Sequence, residues 1–285
     1  MTKEIRLPNL GAKITRELIP DGAILVGYRG SHAHNTYIPP TDPDSVDDID
    51  IMTVFVPGLE YYFGLKDVGN KNKGTIERMI EVPEQNIIWD SVAYEIRKFI
   101  FLLLKGNPNV LMMLWLPDNQ YIYKHHLGQM IIDNRDIFVN KQAYHHFVGY
   151  ANGQLHRMGH HERKGRMGAK RKALIEKHGY DTKNASHLIR LLRMGTEFLI
   201  EGELHPFRQD AHELKAIKKG EWSLEKVKEE SDKWFNLAHE AYVKSNLPAK
   251  PRREDAEKLV VKIIKEFRNI RVSSPGHNVE EFYND

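Results

Sequence analysis

Gly27-Tyr28-Arg29-Gly30-Ser31, then a polar, proline-containing loop, then Asp47-Asp48-Ile49-Asp50-Ile51-Met52-Thr53-Val54-Phe55-Val56 is the stretch that decides how this chain is read. Ile24, Leu25 and Val26 form an apolar run before the glycines, and Ile51 to Val56 form another after the carboxylates. Short runs rich in branched residues and bounded by turn residues have the pattern of buried strands. Asp48 and Asp50 occupy alternate positions, so on a strand their side chains leave one face. Two carboxylates on one face repel each other unless a cation lies between them. An oxygen-only pair suits Mg²⁺, which keeps part of its coordination for phosphate oxygens. Gly30-Ser31, just past a strand, offers backbone N–H groups and a hydroxyl to an anion. A phosphate cradle beside metal-binding carboxylates points to phosphoryl or nucleotidyl transfer.

Working outward, the pattern predicts a short helix over 12–20, strands over 23–27 and 49–56, and an apolar segment from Tyr61 to Leu65. A turn at Gly69 to Gly74 leads into a strand from Thr75 to Val82, and Asn86 to Asp90 reads as a short strand. From Ser91, Val92, Ile96, Phe99, Ile100, Leu103 and Leu104 recur at helical steps. Gly106 stops that helix, and Pro108 opens a second one reaching Leu116. Beyond residue 120 the pattern is helical, with helices expected over 123–132, 141–158, 168–178, 184–201, 210–218, 223–245 and 253–268. The expected fold class is α+β: a small mixed sheet with helices, then a helical bundle. The expected divisions are residues 1–118 for catalysis, 119–250 for nucleotide and acceptor binding, and 251–285 for a last helix and tail.

Composition narrows the chemistry. The 285 residues carry a formal net charge of +3 with 41% hydrophobic and 28% charged residues, the balance of a soluble globular protein. There are no cysteines, which excludes disulfides, thiolate metal sites and cysteine nucleophiles. Met1 to Arg6 has no apolar core behind its charges, so no secretory signal is expected there. The longest apolar run, Phe99 to Leu104, is too short to span a bilayer. A cytoplasmic enzyme with no membrane partner is the expectation; for a phage-encoded chain the compartment is the host cytoplasm.

A metal site of this kind asks for a further acid on a neighbouring strand, and Asp90 is the best placed. Its alternative role is to cap the helix expected from Ser91. At this point Gly30-Ser31 with Asp48-Ile49-Asp50, and Asp90 as third carboxylate, resembles the signature of the DNA polymerase β-like nucleotidyltransferase superfamily. A second block resembles the branch of that superfamily associated with RNA repair in bacteria and phages. It comprises Lys98-Phe99, Lys105-Gly106-Asn107-Pro108-Asn109 and the run from Gly179 to Leu192. The resemblance implies that Asp48 and Asp50 bind two Mg²⁺ ions, with Mn²⁺ as a substitute, and that Asp90 serves the ion beside the attacking hydroxyl. It further implies a nucleoside triphosphate held at Gly30 and Ser31, with pyrophosphate leaving.

Lys183, His187 and Arg190 step by four and three residues and so share a helix face. Three cations on one face would neutralise phosphate charge, or would form an ordinary solvated face. Asp181 reads as the cap of that helix, and Glu197 and Glu201 read as structural. Arg157 to Lys172 is strongly basic, which suits a nucleic-acid backbone or a solvated loop equally. His156 and His160 have metal-ligand spacing but no convergent third ligand. The acceptor hydroxyl stays open at this stage, with an RNA end as one candidate beside a small molecule or a protein. Two rivals also stay open: a catalytically inactive nucleotide- or RNA-binding protein, and a toxin-type nucleotidyltransferase acting on a tRNA or a protein.

Overall fold

The computed structural model describes residues 17–45, 48–69, 73–82, 87–159 and 169–273. Branched and aromatic residues build five strands: β1 (Ala23–Tyr28), β2 (Ile49–Phe55), β3 (Thr75–Val82), β4 (Ile87–Glu95) and β5 (Tyr121–Lys124). They form one sheet in the order β3-β4-β2-β1-β5. The β2–β4 pair is parallel and the other pairs are antiparallel. Short helices α1 (Gly30–Ala33) and α2 (Leu59–Tyr62) follow β1 and β2. After β4 come α3 (Ile96–Leu104) and α4 (Pro108–Leu111), and after β5 comes α5 (His126–Asp133). The remaining helices are α6 (Ala143–Gly159), α7 (Ala169–His178), α8 (Thr182–Glu201), α9 (Ala211–Lys218), α10 (Leu224–Lys244) and α11 (Arg253–Ser273). The architecture is α+β, as the sequence implied.

Two boundaries differ from the expected ones. The segment 91–95 continues β4 instead of opening a helix, because it is paired on both sides, Ser91 to Glu95 with β2 and Ser91 to Tyr94 with β3. Val92 fits a helical period and a strand period alike, and the ladder decides between them. Helix α3 starts one residue after Glu95, whose carboxylate accepts from the Lys98 N–H as its cap. Asp90 is therefore a mid-strand residue and caps nothing. The other difference is β5: Tyr121 to Lys124 pairs with β1, so the helix expected from residue 123 begins only at His126. Its aromatic and branched content is that of an edge strand. The helix expected over 12–20 lies mostly outside the described residues.

Pleating separates the two faces of the sheet. Val26, Ile49, Ile51 and Trp89 face one small cluster with Leu18 and Ile19. Leu25, Met52, Val54 and Val92 face a larger core shared with α3, α5, α6, α8, α9 and α11. Asp50 and Asp90 have the parity of Met52 and Val92, so they belong to the helix-covered face. At the centre of the helical part, α8 packs on α6, α9 and α10. Asp181 caps α8 by accepting from the Asn184 N–H, as expected, and Gly202 closes it in the left-handed region at φ 75°. The four tryptophans pack in or against the core.

Arg193 ties α8 to its neighbours. Its guanidinium, almost buried, donates to Asp210 (2.7 Å), Glu213 (2.7 Å) and Glu230 (3.3 Å). Removing the cation leaves three acids clustered around an empty centre. Arg193→Met is expected to lower the stability by about 3 kcal/mol, read as a drop in the urea midpoint at unchanged slope. A loss below about 1 kcal/mol would mean the acids simply turn to solvent.

Candidate active site

At the end of β1 the chain turns sharply toward the sheet face that carries Asp50 and Asp90. The Arg29 N–H donates to the Asp50 carbonyl (2.9 Å), and Gly30 then adopts φ +59°. A Cβ built on Gly30 would lie 2.1 Å from Asp50 Oδ2, so conformation and space both demand glycine. The turn is thus pressed directly against the Asp50 carboxylate. Ser31 follows, buried, and its hydroxyl meets no hydrogen-bond partner among the described residues. A buried hydroxyl left unsatisfied is costly, and a ligand oxygen arriving beside it removes that cost.

Parallel pairing of β2 and β4 sets Asp50 opposite Asp90. One guanidinium nitrogen, Arg29 Nη2, lies 3.3 Å from Asp50 Oδ1 and 2.9 Å from Asp90 Oδ2. The Asp50 carboxyl is pushed up to about 6, first by burial. The charges of Asp90 and Asp48 raise it further, while those of Arg29 and Lys183 oppose the rise. Asp48 lies one residue ahead of β2, near enough for its charge to act on Asp50. Asp47 lies outside the described residues.

The turn is also held from the helical side. His34 Nδ1 lies 2.9 Å from the Pro206 carbonyl, and its Nε2 lies 2.7 Å from Arg190 Nη1. A carbonyl only accepts and a guanidinium only donates, so the imidazole is the neutral Nδ1–H form. Burial and the Arg190 charge hold its pKa well below the usual histidine range, in agreement with that tautomer. Lys218, only 1% exposed, donates to the Thr36 carbonyl (3.0 Å). Residues 30–36 are thereby fastened to α8, α9 and the loop between them.

The residues picked out on α8 therefore stand in different surroundings. Lys183 acts electrostatically on Asp50. His187 is neutral: burial first, then Arg190, Lys183, Lys218 and His34, hold it well below its ordinary value. Arg190 is buried against His34, with Met194 Sδ at 3.5 Å, and burial brings its pKa down to about 9. Glu197 pairs with Arg208, a structural bond. Of the basic segment, residues 160–168 lie outside the described residues, as do His160 and Glu162 of the histidine-spaced motif.

Three contributors do not stand out in the sequence: Arg29, His34 and Lys218. Lys218 left a signal, because Ala211, Leu214 and Ile217 define the buried stripe of α9 and Lys218 falls on it. Arg29 and His34 left only their closeness to Gly30-Ser31.

Among the described residues, no three histidine, aspartate or glutamate side chains converge closely enough to ligate one ion. The Asp50–Asp90 pair nevertheless fits a divalent cation. One cationic nitrogen already reaches both carboxylates, and the donors are hard oxygens.

The model of the RNA repair pathway DNA polymerase beta family, RlaP, matches residues 29–247. The chain belongs to this family. That match begins at Arg29 and takes in the Gly30-Ser31 turn, all three aspartates and the whole of α8. RlaP membership makes the chain a polymerase-β-like nucleotidyltransferase family member linked to RNA repair. The chain matches no curated protein. No described helix is long and apolar enough to cross a membrane.

Proposed function

We propose that this RlaP protein moves a nucleoside monophosphate from a nucleoside triphosphate to an acceptor hydroxyl, most simply at an RNA end. The observation that carries the reading is the Asp50–Asp90 pair in register on parallel strands with Gly30 against Asp50. Asp50 and Asp90 would hold Mg²⁺ or Mn²⁺, with the Asp48 charge close by, and the ion when bound neutralises phosphate charge and makes a hydroxyl more acidic. The unsatisfied Ser31 hydroxyl and the Lys183 ammonium bind and orient phosphate oxygens. His34, Arg190 and Lys218 keep the turn that carries Ser31 in place. The acceptor oxygen bonds to the α-phosphorus while the bond to the bridging oxygen breaks, and pyrophosphate leaves with that electron pair. The hydroxyl proton passes to an Asp90 carboxylate oxygen.

The test is incubation of each α-phosphate-labelled nucleoside triphosphate with RNA bearing a free 3′-hydroxyl and Mg²⁺. Label on the RNA is the expected result; nucleotide binding with no transfer to any acceptor would make this a binding protein. Lys183→Ala should raise the nucleotide KM about tenfold, the worth of one charge-assisted contact, with a smaller effect on the acceptor KM.

A further inference from the structure

A cavity of about 380 Å³ opens beside Asp90, on the β3 side of the sheet. Val92, Tyr94 and Asp90 come from alternate positions of β4, and Glu77 and Met79 come from the same face of β3. Register sets Met79 beside Asp90 and Glu77 beside Val92. Arg29 stands at the inner wall, where it reaches Asp90. Met79 is 63% exposed, an apolar side chain left open on a strand whose neighbours on that face are glutamates. Tyr94 is half-buried, and burial raises its phenol pKa, so the ring is neutral.

Sheet order tells which substrate this cavity faces. The phosphate-holding turn comes from the end of β1, and β2 with Asp50 lies between β1 and β4. An in-line displacement requires the entering and leaving oxygens on opposite sides of the phosphorus. With the leaving pyrophosphate drawn toward Gly30, Ser31 and Lys183, the entering hydroxyl approaches from β4 and β3. That is the side on which the cavity opens. Its volume is at the lower end for small-molecule sites, room for one nucleoside and not for a duplex.

We infer that this cavity seats the 3′-terminal nucleoside of a single-stranded RNA acceptor, an inference that rests on the transferase reading above. The base lies against the Tyr94 ring and the soft Met79 side chain, with Glu77 accepting from a ribose or base donor. The terminal hydroxyl thereby meets Asp90, and Arg29 faces the last phosphodiester. Aromatic stacking is tolerant of base identity, so the cavity selects a free end and not a sequence.

The experiment is photocrosslinking of the full chain to RNA carrying 4-thiouridine at its 3′ terminus, without nucleoside triphosphate, followed by peptide mapping. Crosslinks at Met79 or Tyr94 are expected with the terminal probe and not with an internal one. Tyr94→Leu combined with Met79→Ala should raise the acceptor KM about tenfold and leave the nucleotide KM unchanged; Tyr94→Phe, which keeps the ring, should behave as wild type. Crosslinks elsewhere, no crosslink, or an unchanged acceptor KM in a variant that melts like wild type would overturn the cavity's role, even if label is transferred. Crosslinks in the cavity with no transfer to any acceptor would instead uphold the seat and sink the transferase reading. Transfer to a protein or small-molecule hydroxyl without RNA crosslinks would uphold the transferase reading and overturn the RNA seat.

Discussion

Asp50→Asn is expected to lose at least about a thousandfold in nucleotidyl transfer, since a cation-holding carboxylate contributes several kcal/mol at the transition state. The same change is expected to make the metal-free protein more stable. Asp50 has its folded pKa raised from 3.8 to about 6, so the folded state binds the proton more tightly than the unfolded state does. By linkage, stability then falls as pH rises from the unfolded value through about 6, and the penalty is complete above it. That difference corresponds to about 2–3 kcal/mol for a side chain that is 24% exposed. An uncharged isostere escapes that penalty. In chelator at pH 8 the variant should therefore melt higher than wild type, and at pH 4 the two should converge. Retained transfer would remove Asp50 from the chemistry. A lower melting point at pH 8 would mean that the Arg29 contacts outweigh the burial of the charge.

Gly30→Ala is the second large effect, and it tests geometry instead of charge. The methyl group would sit 2.1 Å from Asp50 Oδ2 and 2.9 Å from its Cγ, far inside van der Waals contact. Relief requires the carboxylate or the turn to move, and either motion separates Ser31 from the aspartates. The positive φ adds about 1 kcal/mol of strain. Transfer should fall by at least about a hundredfold, about 2.7 kcal/mol of lost positioning, with a few degrees lost from the melting point. Ser31→Ala, which leaves the backbone alone, serves as the comparison and should lose less. Near-normal activity in Gly30→Ala would mean that the turn does not hold the nucleotide.

Much of this arrangement is legible in the residues themselves. Gly30, Asp48 and Asp50 announce their neighbourhood because chain order and strand parity are local properties, and Asp181 declares itself as a cap for the same reason. Asp90 was legible as an acid at a strand position; that it stands opposite Asp50 depends on a parallel pairing across about forty intervening residues. The end of β4 is ambiguous in the sequence because Val92 and Ile96 satisfy helical spacing, and only the ladder on both sides overrules it. Arg190 shows the limit most plainly. Its place on one helix face with Lys183 and His187 was readable, but its burial against His34 depends on a contact between residues far apart in the chain. Arg29 is silent in the sequence, since a lone arginine after a strand says nothing about two acids brought together by folding.

Helix α11 packs back on α3 and α5, and Phe267 comes within 3.3 Å of where a Cβ on Gly22 would stand. A ribosome would therefore deliver α3 and α5 long before the segment that covers them. Until that segment emerges, a greasy flank of those two helices stays open to chaperones and to other unfinished chains.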